Sequence, residues 1–176
     1  TTVLCKDTPA FIANRVGVGG ILSLFHFVEK RGLSVEAIDK LTGPIIGRPK
    51  SATFRTCDVV GLDTLVHVAN GLYENCKNDE ARASFKLPKY VEKLFENKWF
   101  GDKTKQGFYK KTKNEKGKKV ILSLDLKSFE YKTPERVKYA SLAQAKEIED
   151  LRKRIKFLYH SKDEAGEFYR EMFSDI

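Results

Sequence analysis

The sequence predicts a mainly α fold carrying one short β-hairpin near residues 107–122. Apolar residues recur at helical spacing through most of the 176 residues. Glycine and proline punctuate that pattern at Gly32, Gly43-Pro44, Gly61 and Pro88. Around Gly107-Phe108-Tyr109 and Val120-Ile121-Leu122 the pattern changes to two short extended runs, joined by a turn over Lys113 to Gly117.

Thr8 suits a helix N-cap and Pro9 the first helical position, where a missing N–H costs nothing. Asp7 adds negative charge where the helix dipole favours it. This first helix is expected to run to Lys30 or Arg31 and close at Gly32. Gly17, Gly19 and Gly20 inside it each lower helix propensity by about 1 kcal/mol, so the cluster points to close approach of another backbone, either a packed helix or a neighbouring domain. No strand leads into it with the spacing of a phosphate loop. Ser34 caps a second helix through Leu41, and Ile45 to Lys50 is a turn. Ser51 caps a helix through about Val60, Gly61 breaks it, and Asp63 caps the next. That next helix carries Leu65, Val66, Val68, Ala69 and Leu72 on one face. An acidic turn follows at Asn78-Asp79-Glu80, and Pro88 opens a helix to Asn97 or Lys98. Beyond Leu124, Thr133-Pro134-Glu135 starts a helical region in which Leu142, Ala145, Ile148, Leu151, Ile155 and Leu158 keep helical spacing. Ser161 to Phe173 is one more helix.

Bulk properties exclude several classes. Hydrophobic residues make up 41 %, with twelve Phe and seven Tyr, ample for a core. No apolar run approaches the roughly 20 residues needed to span a membrane, and no signal-peptide pattern is present. Cys5, Cys57 and Cys76 are odd in number and not closely paired, which suits a reducing, cytoplasmic setting (a mitochondrial matrix fits equally). His26, His67 and His160 have no ligand spacing, so no metal is assigned. His67 reads as surface or core filler. Of the net charge of +9, residues 101–119 supply +6, from eight lysines against two acidic residues. Lysines in a turn, with few arginines and no recognised module, argue for a solvated hairpin and against nucleic acid. The only methionine is Met172, so the chain reads as a piece of a longer polypeptide.

Asn14 is the residue that asks for a function. It falls beside the apolar stripe of the first helix, where an amide is a poor helix former and expensive to bury unpaired. One reading is a core amide satisfied by neighbouring backbone; the other is an amide aimed at a ligand. Arg15 points about 100° around the helix and suits a structural ion pair. Asp58 and Asp63, near the Gly61 break, suit structural work, helix capping above all.

Three stretches gain meaning together: Asp7-Thr8-Pro9-Ala10-Phe11-Ile12-Ala13-Asn14-Arg15, then Gly47-Arg48-Pro49 through Phe54 and Asp58 to Gly61-Leu62-Asp63, then Gly101-Asp102-Lys103-Thr104-Lys105-Gln106-Gly107-Phe108-Tyr109. In order, spacing and residue type they resemble the C-terminal helical domain of the NAD-dependent L-3-hydroxyacyl-CoA dehydrogenases, over Val3 to about Lys111. The resemblance implies a helical domain like the C-terminal domain of 6-phosphogluconate dehydrogenase, over residues 1–123. Residues 124–176 then resemble a linker and the opening helix of a second, truncated copy.

The resemblance also implies a function. Asn14 matches the family's catalytic asparagine, a neutral donor and acceptor beside the reacting oxygen. Pro49, Lys50, Ser51 and Phe54 fall where the family flanks the acyl-thioester channel. Lys50, Ser51 and Ala52 replace the family's Met, Gly and Pro there, which changes the loop's shape and polarity. Ala10 for the family's Gly reads as a small change at the second helical position. NAD would be held by an N-terminal Rossmann domain of the same polypeptide, since no Gly-x-Gly-x-x-Gly fingerprint occurs in this sequence. Acyl-CoA is then the substrate, the lysine hairpin could attract its phosphates, and a homodimer through the Asp63 helix is expected. On its own the chain is expected to be inactive. The rival reading is a non-catalytic helical interaction module. A different β-hydroxyacid dehydrogenase is disfavoured, because no Lys-x-x-Asn pairing of that group is seen.

Overall fold

The computed structural model describes residues 2–174. Helix α1 (Ile12–Arg31) is the spine. Its second half is apolar enough to be buried nearly all round, at Leu22, Leu24, Phe25, Phe27 and Val28, and Gly32 closes it with φ +66°. Helix α2 (Val35–Thr42) is capped as expected, the Ser34 hydroxyl accepting from the Ala37 N–H at 3.2 Å. Helices α3 (Phe54–Val60), α4 (Leu62–Asn75) and α5 (Lys89–Glu96) follow, and stack their apolar faces on the same core.

At the centre three rings meet. Phe25 of α1 stacks on Phe54 of α3 at 5.1 Å, and Phe108 lies 4.5 Å from Phe54 and 5.5 Å from Phe25. All three are fully buried, and each such ring contributes roughly 1.5–3 kcal/mol. The Tyr90 hydroxyl of α5 donates to the Phe25 carbonyl at 3.1 Å.

The hairpin forms from β1 (Tyr109–Lys113) and β2 (Lys119–Leu124), antiparallel with Lys111 opposite Ile121. A third strand that the pattern did not predict, β3 (Tyr131–Lys132), pairs with β2. The three-stranded order is β1-β2-β3.

Several boundaries differ from those expected. The first helix does not start at Pro9 with Thr8 as cap. It starts at Ile12, and Ala10 sits before it at φ +63°. A non-glycine there costs about 1–2 kcal/mol, so alanine in place of glycine is not a small change at a helical position. Ser51 does not cap α3. The Asp39 carboxylate reaches across from α2 and accepts from the Thr53, Phe54 and Arg55 N–H groups at 3.0, 2.6 and 3.0 Å. Asp63 lies in the first turn of α4 rather than at its cap, where it pairs with Lys103. Residues 133–139 form no helix: the Glu135 N–H donates to Glu36 at 2.9 Å, the Val137 N–H to the Glu135 carbonyl at 3.1 Å, and the Lys40 ammonium to the Val137 carbonyl.

The tail forms α6 (Ala140–Ala145), α7 (Leu151–His160) and α8 (Glu164–Ser174). A new N-cap separates the first two, the Asp150 carboxylate accepting from Lys153 N–H at 2.8 Å. These helices share the core of α1 and α2. Phe168 meets Phe27 edge-on at 5.2 Å, the Tyr169 hydroxyl donates to the Leu41 carbonyl at 2.7 Å, and Glu171 pairs with Lys30 and Arg31.

Candidate active site

Asn14, Val18, Ile21 and Phe25 follow one line along α1. Phe25 is buried, Ile21 and Val18 are half-buried, and Asn14 is exposed. Asn14 is therefore not a core amide, and among the described residues its side chain makes no hydrogen bond. The physical reason is that the first half of α1 extends past the body that covers the second half. Its surroundings are not those of a solvated helix face. Phe11 is 82 %, Ile12 59 % and Val16 70 % exposed, an uncovered apolar surface on consecutive turns. The glycine cluster belongs to the same bare segment. A Cβ on Gly17 or Gly20 would meet nothing within 4 Å, and one on Gly19 would touch only the Phe85 ring at 3.7 Å. Within the described chain no backbone makes the expected close approach.

Arg15 does take the structural role expected of it. Its guanidinium pairs with Asp79 after α4, tying the projecting helix to the body and holding the Asp79 carboxyl below its usual range.

The loop before α3 separates the four residues assigned to substrate. Pro49 and Lys50 are exposed, and Ser51 is half-buried, its hydroxyl accepting from the Thr56 hydroxyl at 2.8 Å. Phe54 corrects the expectation, because its ring is fully buried between Phe25 and Phe108 and offers no surface to a ligand. No hydrogen bond or ion pair among the described residues joins Asn14 to this loop. Their link runs through the core, from Phe54 to Phe25 and then about 16 Å back along α1.

The second and third motifs prove to be two halves of one junction. Asp58, 1 % exposed, accepts from the Phe108 and Tyr109 N–H groups, both at 2.8 Å. It holds the entry to β1 rather than capping a helix. A Cβ on Gly101 would collide with the Asp58 backbone, and one on Gly107 with its carboxylate, so both glycines are needed for the loop to close over Asp58. Inside the loop the Thr104 hydroxyl accepts from Phe100 N–H at 2.9 Å and lies 2.9 Å from the Gln106 carbonyl. Arg55 grips Asp102 through two bonds of 2.9 and 2.6 Å and lies 3.8 Å from Asp58. The Tyr109 hydroxyl donates to Asp39 at 2.8 Å.

Burial raises the Asp58 carboxyl to about 6, against the pull of the two N–H groups and Arg55. Burial raises Asp39 as well, opposed by its four donors. Buried Cys57 is also pushed up, which leaves its thiol protonated and inert. Asp39 is the residue that sequence reasoning missed, whereas Thr104 stands in the third motif without a role assigned to it. Asp39 carries no local signal, since its partners lie 14 to 16 and 70 residues away.

Among the described residues no group of three or more His, Cys, Asp or Glu could hold a metal ion. Nor do they form a dinucleotide cradle. The sheet is antiparallel, and the clustered glycines lie inside a helix instead of at a strand-to-helix turn. No helix of the described residues is long and apolar enough to cross a membrane.

Residues 11–111 match the family 3-hydroxyacyl-CoA dehydrogenase, C-terminal domain. A probable 3-hydroxyacyl-CoA dehydrogenase of Bacillus subtilis (strain 168) is 43 % identical over 164 residues, which cover 93 % of this chain and 20 % of the relative. That similarity continues past residue 111 into the tail. Human mitochondrial hydroxyacyl-coenzyme A dehydrogenase is 39 % identical over 109 residues, covering 61 % of this chain and 33 % of that protein. The crystal structure of M. tuberculosis FadB2 superposes with a TM-score of 0.54 at 29 % identity, over 62 % of this chain and 37 % of that one. The chain thus spans between a fifth and a third of the curated relatives it matches.

Proposed function

This chain belongs to the 3-hydroxyacyl-CoA dehydrogenase C-terminal domain family, and on that premise we propose that it is the substrate-binding, dimer-forming helical part of such an enzyme. The whole protein would oxidise L-3-hydroxyacyl-CoA to 3-ketoacyl-CoA with NAD in fatty-acid β-oxidation. The observation that carries the reading is Asn14, an unpartnered amide at the head of an uncovered apolar helix. A second lobe, the one that would hold NAD, docks on Phe11, Ile12 and Val16 and encloses Asn14 at the seam. There the amide orients the 3-oxygen without adding charge. Pro49, Lys50 and Ser51 form the rim toward the acyl-CoA, and Phe54 supports that rim from the core. Lys50 suits the CoA phosphates as a point charge. Dimerisation through the α4 region is supported by the neighbouring exposed pair Val59 and Val60 at the end of α3. Free Cys5, Cys57 and Cys76 suit a reducing, cytoplasmic setting.

The test is Asn14→Ala in the full-length enzyme. Because Asn14 is exposed and makes no hydrogen bond among the described residues, melting temperature should hardly change while kcat for 3-hydroxybutyryl-CoA falls about 100- to 1,000-fold. Unchanged kcat refutes the assignment. The isolated chain should yield no NADH from the same substrate, and turnover by it refutes the two-lobe reading.

A further inference from the structure

A groove of about 750 Å³ lies between the end of α2 and the tail helices α6 and α7, in the size range of small-molecule sites. Its apolar wall is formed by half-buried Tyr139 and exposed Ala140 and Ala143, with Ile45 and Leu142 buried behind them. Four cations surround them, Lys40, Lys138, Lys146 and Arg154. Among the described residues none of the four pairs with a carboxylate, although Arg15, Arg31, Arg55, Lys103 and Lys132 all do so elsewhere. The single acidic lining residue, Asp39, is already occupied by three backbone N–H groups and the Tyr109 hydroxyl. Arg154 is held in place without being neutralised. Its Nε donates to the Ile148 carbonyl at 2.8 Å and its Nη2 to the Glu149 carbonyl at 2.9 Å, while Nη1 reaches the Pro44 and Ile45 carbonyls only at 3.5 Å. A positioned guanidinium, three ammonium groups and an apolar wall complement a phosphate joined to a short hydrocarbon chain.

We propose that this groove binds a free anionic amphiphile, an alkyl or acyl chain ending in a phosphate. Asp39, Lys40, Pro44 and Ile45 of the groove lie within the 11–111 family match and the rest beyond it, and its lining includes neither Asn14 nor Pro49, Lys50 or Ser51, so the groove is additional to the site around Asn14. The three lysines raise the local anion concentration, Arg154 orients the head group, and the chain lies against Tyr139, Ala140 and Ala143.

Isothermal titration of the 176-residue chain with octyl phosphate, kept below its micelle concentration, tests this. Octyl phosphate should bind at least tenfold more tightly than inorganic phosphate, octanoate or octyltrimethylammonium. The exposed double substitution Lys138→Glu/Lys146→Glu should weaken it at least tenfold with melting temperature unchanged. If that variant unfolds, Lys146→Gln alone should weaken it measurably. Lys50→Glu, on the other loop, should leave it unaltered. Absent binding, equal binding of inorganic phosphate or octanoate, or indifference to the lysine substitutions overturns the proposal. So does loss of binding in Lys50→Glu, which would put the probe at the other site.

Discussion

Replacing Asp58 tests the claim that the second and third motifs are one structural junction. Asp58→Asn keeps the shape but presents an N–H₂ to one of two backbone N–H donors now held at 2.8 Å. One buried N–H is left unsatisfied, at a cost of about 1–3 kcal/mol. Asp58→Ala strands both, for about 2–6 kcal/mol, a large share of the typical 5–15 kcal/mol of a domain. Urea unfolding provides the measurement, with Trp99 as reporter because it packs 5.5 Å from Tyr131 and 6.1 Å from Phe129 beside the loop. The pH dependence has a definite sign. Burial raises the folded carboxyl to about 6 from an ordinary 3.8, so the native state binds more protons between those values. Its contribution is complete below about pH 4 and falls as pH rises through 6, by at most about 3 kcal/mol. Asp58→Asn does not titrate, so wild type should lose stability relative to it across that window. Asp58→Ala within 0.5 kcal/mol of wild type, on the scale of an ordinary surface substitution, would refute the junction.

Other expected outcomes use the same packing. Gly101→Ala drives a methyl into the Asp58 backbone at φ +100° and should lower the urea midpoint strongly. Gly20→Ala meets nothing and should raise helix stability by up to about 1 kcal/mol; comparable losses in both would argue against the loop's closure over Asp58. Tyr169→Phe removes the buried bond to the Leu41 carbonyl and should cost about 1 kcal/mol in the same assay. No change there would mean that α8 is not anchored through that hydroxyl.

How much was legible depended on how local each cause is. Ser34 and Gly32 act on backbone within three or four residues, and both were readable. The helix starts at Ile12 rather than near Thr8, because the chain turns at Ala10 first. The Arg15 ion pair was anticipated from its angle around the helix, but Asp79, 64 residues on, was not nameable as its partner. The three motifs were visible with their spacing. Their division of labour was not, because Gly101, Gly107 and Asp58 meet only when the chain folds back over about 50 residues. Partners 14 to 16 and 70 residues away hid Asp39, and packing on Phe25 and Phe108 places Phe54 in the core rather than on the ligand side.

Sequence by itself determined the family, the helical class and the hairpin, since order and spacing of residue types are one-dimensional information. Only the tertiary structure decided that Asn14 stands uncovered on a bare apolar turn, that two motifs close one buried carboxylate junction, and that the tail packs against α1 and α2. Burial and charge compensation depend on which distant segments exclude water from a group, and that is set when the chain packs.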